Sequence, residues 1–432
     1  DLLAARGLRD GAPRLIVVSC TFYLSFNEIK RVVRKAKKLF PAVPIVIGGA
    51  FLNQFFLNDR MADLEAGMRK LGIDYALYAH NSEADLKGLI LMLRKPAGFR
   101  EWRELKNLAY LEKGAFQVTD GEWHEPLVQG VPVHWDKLDL SFVRRTIQLR
   151  VSSGCMFQCA FCSYPVTTRG FHPAEPAAFD SDLGRILDQT GAARVIFIDD
   201  TFNVPKERFK KICHSLAQRK IAWYSFLRVQ FIDDATAALM KASGCAMVYL
   251  GIESANDGVL GNMNKKVTRR EFEQGLRFLK KYDIPVLAGF VIGFPGETKE
   301  TAMEIRDFID SNGVDFYTLK EFYYLPHTPV HQQRERYQLT GSGADWKHQT
   351  MTYTEASALK IALFKQITSA VAVDPDTSMW HIAYLNDRGY SMAQVKQVQR
   401  AINALIVEQL EGKFREDSPY FAELSRMVKS VP

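Results

Sequence analysis

The first hundred residues alternate between short apolar runs and longer segments with helical periodicity. Leu15–Cys20 and Ile45–Ile47 are almost continuously apolar, which is typical of strands buried on both faces of a parallel sheet. Ser25 and Glu28 have the spacing of a capping box, which predicts a helix over Asn27–Phe40. Another helix, a strand and a further helix are predicted over Asn58–Leu71, Tyr75–Tyr78 and Glu83–Leu93. This alternation predicts a doubly wound, Rossmann-like α/β domain.

Domain boundaries follow from where this alternation stops and resumes. We assign residues 1–98 to the Rossmann-like domain. Only three of its strands are visible, so we expect an earlier strand and helix to precede Asp1. Residues 99–143 contain isolated turns and prolines without a sustained period, and we expect a linker there.

Residues 144–334 repeat the strand–helix alternation with more elements. The predicted strands are Thr146–Val151, Val195–Asp199, Trp223–Val229, Met247–Ile252, Val286–Ile292 and Phe316–Phe322. The helices between them are Asp180–Thr190, Pro205–Gln218, Asp234–Ala242, Arg269–Tyr282 and Lys299–Ser311. This pattern predicts a partial (β/α)6 barrel, whose functional groups gather at the carboxyl ends of the strands. Residues 335–432 are predicted to form a small helical C-terminal domain.

Composition narrows the class of protein. The chain has 56 Lys and Arg against 49 Asp and Glu, and 47% of its residues are hydrophobic, which excludes a disordered chain and a disulfide scaffold. The positive charges are spread along the chain, so we expect no nucleic-acid partner. The longest apolar run, Ile284–Pro295, is too short to cross a bilayer, so we expect no membrane anchor. The few, unevenly placed cysteines are typical of a protein in the reducing cytoplasm. Separately, we expect the protein to be a monomer.

Three cysteines follow directly on a predicted strand, in the spacing Cys155-x3-Cys159-x2-Cys162. Three thiolates this close can hold three irons of a [4Fe–4S] cube and leave the fourth iron open. A structural zinc site usually needs four ligands, and no second Cys or His pair has suitable spacing. A ferredoxin-type cluster would need a fourth nearby cysteine. Packing of three core thiols is the remaining alternative.

Further motifs end other predicted strands of the barrel. Asp199-Asp200-Thr201 follows the second strand, Glu253-Ser254 the fourth, Gly289–Thr298 spans the fifth, and Leu325–Pro329 follows the sixth. Together with the cysteine motif, and in this order, they resemble the radical S-adenosylmethionine (radical SAM) superfamily over roughly residues 145–334. The resemblance implies a [4Fe–4S] cluster whose open iron is chelated by SAM.

The resemblance also implies which residues contact SAM. These are Asp199, Asp200 and Thr201 for the amino group, Glu253 and Ser254 for the ribose, and Val291 and Gly293 beside the adenine. Arg228, which ends the third strand, is a candidate for bidentate pairing with the SAM carboxylate and for a catalytic role. Two structural alternatives stay open, namely a helix-capping role for Asp200 and a structural ion pair for Arg228.

A Rossmann-like domain before such a barrel is similar to the cobalamin-binding subfamily. The resemblance implies a corrin between the two domains, near strand ends that carry Ser19, Cys20, Thr21, Gly48 and Gly49. His80 is expected to be a loop histidine rather than a cobalt ligand, and Phe22 and Tyr23 are candidates for the lower face of the corrin. The alternative is a Rossmann domain that binds nothing.

The resemblance implies a cobalamin-dependent methyltransferase that moves a methyl group from SAM, via methylcobalamin, to a carbon of a natural-product precursor such as an antibiotic intermediate. Carbon C2 of the tryptophan ring is a specific candidate, and Tyr317, Tyr323 and Tyr324 are candidates for proton handling at the barrel mouth, with core packing as the alternative for each. The substrate would be a small molecule or a peptide, and an external flavodoxin or ferredoxin would supply electrons. The alternatives are a P-methyltransferase, a radical SAM cyclase or oxidoreductase, and a non-enzymatic sensor.

Overall fold

The computed structural model describes residues 13–21, 25–129, 134–135, 145–374 and 378–429. Phe22, Tyr23 and residues 130–133 and 136–143 of the predicted linker lie outside the described residues. The chain divides after Pro126 into two compact units. In the part of the chain that the structure describes, no helix is both long and apolar enough to cross a membrane.

The first unit contains a five-stranded sheet. In both sequence and spatial order its strands are β1 (Ile16–Ser19), β2 (Ile45–Gly48), β3 (Tyr75–Leu77), β4 (Leu108–Glu112) and β5 (Ala115–Val118). The first three strands run parallel, and β4 and β5 are antiparallel to their neighbours. The helices described in this unit are α1 (Phe26–Leu39), α2 (Ala50–Leu57), α3 (Met61–Leu71) and α4 (Glu83–Arg94). The parallel strands and intervening helices confirm the Rossmann-like prediction.

Local sequence explains most of these elements. The three apolar residues of β2 are almost fully buried, as the continuous apolar run requires. The capping box forms, because the backbone N–H of Ser25 donates to the Glu28 carboxylate at 2.9 Å. The helix predicted from Asn58 begins instead at Met61, because Asp59 has a φ of 53° that interrupts helical backbone.

The predicted linker is wrong over its first half, because β4 and β5 form a hairpin there. Lys113 and Gly114 join the two strands with φ values of 48° and 84°, which is the pattern of a type I′ turn. Leu108 and Tyr110 are buried against the rest of the unit. The hairpin therefore extends the Rossmann-like sheet instead of connecting two domains.

The second unit contains a seven-stranded parallel sheet. Its strands are β6 (Thr146–Leu149), β9 (Arg194–Phe197), β10 (Ala222–Leu227), β11 (Cys245–Glu253), β12 (Val286–Ile292), β13 (Phe316–Glu321) and β17 (Val371–Ala372). A separate pair, β7 (Ser152–Gly154) and β8 (Phe171–Pro173), follows β6, and β14 (Thr340–Ser342), β15 (Asp345–His348) and β16 (Met351–Thr352) form a small antiparallel sheet. The order β6-β9-β10-β11-β12-β13 confirms the partial barrel.

Helices alternate with these strands. The first eight are α5 (Tyr164–Thr167), α6 (Pro176–Thr190), α7 (Lys206–Arg219), α8 (Asp234–Ala242), α9 (Asp257–Asn262), α10 (Arg269–Lys281), α11 (Lys299–Asn312) and α12 (Arg334–Tyr337). The C-terminal helices are α13 (Tyr353–Gln366), α14 (Ser378–Asp387), α15 (Met392–Leu410) and α16 (Pro419–Lys429). Val195 and Phe197 of β9 pack against α6 and α7 on one face of the sheet.

The C-terminal region is not a separate helical domain. Alternate strand residues, such as Ile196, Tyr224 and Met247, face the other side of the sheet and pack with Ile382 and Val395 of α14 and α15. The region also contributes β17 as the seventh strand. This strand is two residues long, so it leaves no periodic signal in the sequence.

Candidate metal centre

The three cysteines lie on one loop that follows β7. Cys159 is buried, whereas Cys155 and Cys162 are half-buried, and all three are free of disulfides. Burial, with smaller contributions from the charges of Cys159 and Cys155, raises the pKa of the Cys162 thiol to about 12. A bound metal would reverse this effect, since coordination deprotonates a thiol.

Backbone hydrogen bonds hold this loop from two sides. The N–H of Ala160 donates to the carbonyl of Met263 at 2.8 Å, and the carbonyl of Ala160 accepts from the N–H of Val330, also at 2.8 Å. The side chain of Asn264 donates to the carbonyl of Gln158 at 2.7 Å. The residues around Cys159 are therefore fixed to the segments after α9 and β13.

Asp199 and Asp200 lie just after β9 and contact different partners. The carboxylate of Asp199 accepts hydrogen bonds from the backbone of Val151, at 3.2 Å, and from the hydroxyl of Ser152. It is 1% exposed, and burial raises its pKa to about 6. Asp199 therefore holds the junction between β6 and β7 together rather than facing open space.

Asp200 instead contacts the start of the cysteine loop. Its carboxylate accepts from the N–H of Gly154 at 3.0 Å, and burial raises its pKa to about 6. Thr201 lies beside it, with its hydroxyl 3.1 Å from the Cys155 sulfur. The end of β9 is thus joined to the first cysteine of the motif.

Arg228 is buried against the same loop. One terminal nitrogen of its guanidinium donates to the Cys159 sulfur at 3.6 Å, and the other donates to the carbonyl of Lys265. The guanidinium also stacks on Phe157, 3.7 Å from the ring centroid. Because Arg228 is 7% exposed and donates within the protein, a bidentate pair with a SAM carboxylate would require these contacts to rearrange.

The end of β11 carries a buried ion pair. Lys265 donates to the carboxylate of Glu253 at 2.9 Å, and the two side chains are 8% and 15% exposed. Glu253 has a φ of 67°, an uncommon conformation for a residue with a side chain. Ser254 is fully buried, and its hydroxyl accepts from the N–H of Asn256 at 3.2 Å. Glu253 therefore pairs with Lys265, whereas Ser254 stabilises a turn.

Side chains of the same unit fill the space at the end of β12. The N–H of Gly293 donates to Glu297 at 2.5 Å, and its carbonyl lies 3.0 Å from His348 Nε2. A Cβ at Gly293 would lie 2.5 Å from the Trp346 ring, so the glycine permits close packing. Of the two residues expected beside an adenine, only Val291 is half-buried rather than buried.

Glu297 provides a prediction of pH dependence. It is fully buried, one of its oxygens has no hydrogen-bond partner among the described residues, and burial raises its pKa from 4.5 to about 8. Between these values the folded chain keeps a proton that the unfolded chain has released, so the free energy of unfolding falls as pH rises, by up to about 1.4 kcal/mol per pH unit. Glu297→Gln is expected to remove this decline in chemical denaturation between about pH 6 and about pH 8.

The matched control is Glu300→Gln, which changes an exposed carboxylate at the start of α11 whose pKa is lowered, chiefly by a backbone hydrogen bond. It should retain the decline of the unaltered chain. An equal pH dependence in the Glu297 and Glu300 variants would contradict the assignment of a buried proton to Glu297.

The three tyrosines expected at the barrel mouth do not share a location. Tyr317 is the second residue of β13, at the amino end of the strand, and packs in the core between sheet and helices. The predicted role of Tyr317 in proton handling is wrong, because the cysteine loop lies at the opposite ends of the strands. Tyr317 is a packing residue. Tyr323 is exposed after β13, and Tyr324 is buried with its hydroxyl 2.5 Å from His331 Nδ1.

In the first unit, the expected cofactor residues follow β1 and β2. The hydroxyls of Ser19 and Thr21 are exposed and lie 3.1 Å apart. Gly49 has a φ of 119° and lies so close to Thr21 that a Cβ would be 3.0 Å from its nitrogen. Cys20 is fully buried, and both its N–H and its carbonyl are bonded within the unit. Cys20 is therefore a core residue, and Ser19, Thr21, Gly48 and Gly49 form the strand-end edge.

The donor set in the second unit fits an iron–sulfur cube better than a single ion. Within the described ranges, no three His, Cys, Asp or Glu side chains are arranged as ligands of one metal ion. In a cube each thiolate binds a different iron, so the sulfurs need not converge on one point. Three free thiols on one loop, with a buried guanidinium beside them, match that requirement.

Comparisons with known proteins cover the part of the chain that carries this site. The family model of the radical SAM superfamily matches residues 149–309. These residues are a radical SAM domain. It contains the cysteine loop, Asp200, Arg228 and Glu253.

Curated relatives share this domain. An uncharacterized methyltransferase of Pyrococcus horikoshii is 28% identical over 327 residues, which are 72% of this chain and 67% of that protein. The anaerobic magnesium-protoporphyrin IX monomethyl ester cyclase of Cereibacter sphaeroides is 24% identical over 243 residues, 54% of this chain and 40% of that protein. The chain thus spans about two thirds of the first relative and less than half of the second.

A solved structure shows the same fold beyond the radical SAM domain. It is the radical SAM methyltransferase TsrM from Kitasatospora setae, with cobalamin and a [4Fe–4S] cluster bound. The TM-score is 0.61 at 18% identity, covering 78% of this chain and 69% of that one. At this identity the likeness concerns the fold.

Several residues at the radical SAM domain's cysteine loop had no signal in the sequence. Lys265 lies twelve residues beyond its partner Glu253, inside a polar run that resembles any exposed turn. Asn203 bonds both backbone groups of Arg228, at 2.7 and 3.0 Å, from a loop 25 residues earlier. Such contacts follow from the order of the parallel strands and not from local spacing.

Proposed function

We propose that the chain is a cobalamin-dependent radical SAM methyltransferase, which transfers a methyl group from SAM to a carbon atom of a small molecule or peptide. The observation that carries the proposal is the cysteine loop fixed to the ends of β9 and β10, in a chain whose other unit has a Rossmann-like fold. The methyltransferase relative from Pyrococcus horikoshii and the fold shared with TsrM support it.

The roles proposed for individual residues follow their positions. Cys155, Cys159 and Cys162 would hold a [4Fe–4S] cluster. Asp200, which accepts from the N–H of Gly154, would bind the SAM amino group, and Glu253, at the end of β11, would bind the ribose. In the first unit, Ser19, Thr21, Gly48 and Gly49 would approach cobalamin. When bound, the cluster supplies one electron to SAM and the corrinoid carries the methyl group.

The experiment combines metal analysis with product analysis. After anaerobic purification with hydroxocobalamin and cluster reconstitution, we expect about four irons and about one cobalt per chain. Incubation with SAM labelled in its methyl group should then release S-adenosylhomocysteine and transfer the label to an acceptor. Four irons without cobalt would overturn cobalamin-dependent methyl transfer and leave the radical SAM domain unaffected.

The specific substrate is a finer proposal. Tryptophan, methylated at ring carbon C2, is supported by the fold shared with TsrM, which has been solved with tryptophan as substrate at 19% identity to this chain. Labelled methyl transfer to tryptophan, compared with transfer to indole lacking the amino-acid group, tests it directly. No label in either acceptor would exclude tryptophan and leave the class of reaction open to other carbon or phosphorus acceptors.

A second candidate function is radical chemistry of another kind, such as cyclisation. The relative from Cereibacter sphaeroides is a cyclase. Release of 5′-deoxyadenosine without S-adenosylhomocysteine would favour it. With either function we propose a monomer in the reducing cytoplasm that receives electrons from a flavodoxin or ferredoxin.

A further inference from the structure

Two buried cationic side chains contact aromatic residues of the cysteine loop. Arg228 stacks on Phe157 at 3.7 Å, and the ammonium of Lys265 lies 6.0 Å from the ring centroid of Phe161. Arg228 also donates to the carbonyl of Lys265, so the two cationic residues are linked. Phe157 and Phe161 lie two residues to either side of Cys159, so this cysteine is at the centre of the segment that the two cationic side chains contact.

The backbone of Arg228 is held in place independently of the loop. The side chain of Asn203 donates to its carbonyl at 2.7 Å and accepts from its N–H at 3.0 Å. With its backbone fixed and its ring contact made, the guanidinium points one N–H at the Cys159 sulfur, 3.6 Å away. Both side chains are less than a tenth exposed, so solvent screens this contact weakly.

A buried cation on a thiolate ligand alters the energetics of reduction. A reduced iron–sulfur cluster carries one more negative charge than the oxidised form, and hydrogen bonds to its sulfurs and the net charge nearby set its potential. Arginine keeps its charge at all relevant pH values. The guanidinium therefore stabilises the reduced form more than the oxidised form.

We infer that Arg228 is a positioning residue that raises the reduction potential of a cluster on this loop through its N–H to the Cys159 sulfur. The inference rests on the proposed function, because it requires that cluster. The step concerned is the uptake of one electron from a one-electron reductant, dithionite in the test, with no bond broken and no proton moved. Arg228 thereby favours the electron transfer that precedes SAM cleavage.

The test is a redox titration of the reconstituted chain, followed by electron paramagnetic resonance of the reduced cluster. In Arg228→Gln, the ratio of reduced to oxidised cluster at a fixed potential is expected to fall about tenfold, equivalent to about 59 mV for one electron. Arg228→Lys should show a smaller fall, since it keeps the charge and loses the planar fork. The control is Arg194→Lys, at the amino end of β9, where Arg194 pairs with Asp387 at 3.0 Å, and its titration should match the unaltered chain.

The outcomes separate this inference from the proposed function. If Arg228→Gln holds its full iron content and titrates like the control, the inference is overturned and the proposed function stands. If Arg228→Gln holds no iron, Arg228→Lys decides the question, because a shifted potential supports the inference and an unchanged one overturns it. If the unaltered chain assembles no iron–sulfur cluster, both fail.

Discussion

Replacing Cys159 with alanine is expected to reduce the iron content from about four per chain to a small fraction of that, and to abolish SAM cleavage. Three thiolates are the minimum that leaves a single iron open for SAM, and Cys159 lies at the centre of a loop fixed by backbone bonds to Met263 and Val330. Iron and labile sulfide assays after anaerobic reconstitution measure the first effect. Chromatography of SAM products measures the second.

The matched control is Cys213→Ala. Cys213 is fully buried in the core of the same unit, on α7, and burial raises the pKa of its thiol to about 12. Its loss removes a small apolar side chain, at a cost of about 1 kcal/mol in the free energy of unfolding, and should leave iron content unchanged. Full iron content and SAM turnover in the Cys159 variant would end the assignment of a cluster to this loop.

The sequence was most informative where structure depends on local periodicity. The apolar run Val286–Ile292 is a strand with the predicted bounds, and Asp234–Ala242 is a helix with the predicted bounds. Both satisfy a simple rule, since a strand buried on both faces is apolar throughout and a surface helix repeats every 3.6 residues. The hairpin at Lys113 and Gly114 was missed, because its turn lacks the Asn-Gly pair by which such turns are recognised.

The same distinction between local and distant residues applies to the candidate site. The cysteine motif is readable because its three ligands are close in sequence. The contact between Arg228 and Cys159 joins residues 69 positions apart, and only the parallel order of the strands brings them together. Tyr317 shows the converse error, because the predicted strand Phe316–Phe322 already placed this residue at the amino end of the strand, away from the cysteine loop.

Replacing Gly154 with alanine is expected to unfold the start of the cysteine loop and to prevent iron binding. Gly154 has a φ of 79°, and a Cβ there would lie 1.9 Å from the carbonyl oxygen of Gly170 and 2.6 Å from the Thr168 hydroxyl. The first atom is backbone of the segment that leads into β8, the partner of β7, so it cannot move aside without breaking that pair. We expect a loss of about 2–5 kcal/mol in the free energy of unfolding, combining left-handed strain and overpacking.

Gly191→Ala separates these two contributions. Gly191 ends α6 with a φ of 63° and has nothing within 4 Å of an added Cβ, so alanine there meets the backbone strain alone, about 1–2 kcal/mol. The Gly191 variant should therefore bind iron normally, with a modestly lowered midpoint in chemical denaturation. Equal destabilisation of the two variants, with iron retained in both, would show that the close approach of Gly170 does not constrain the loop. A larger loss confined to Gly154→Ala would mean that the glycine before the first cysteine is required because β8 lies against it, and that the position of the metal ligands depends on this contact between two short strands.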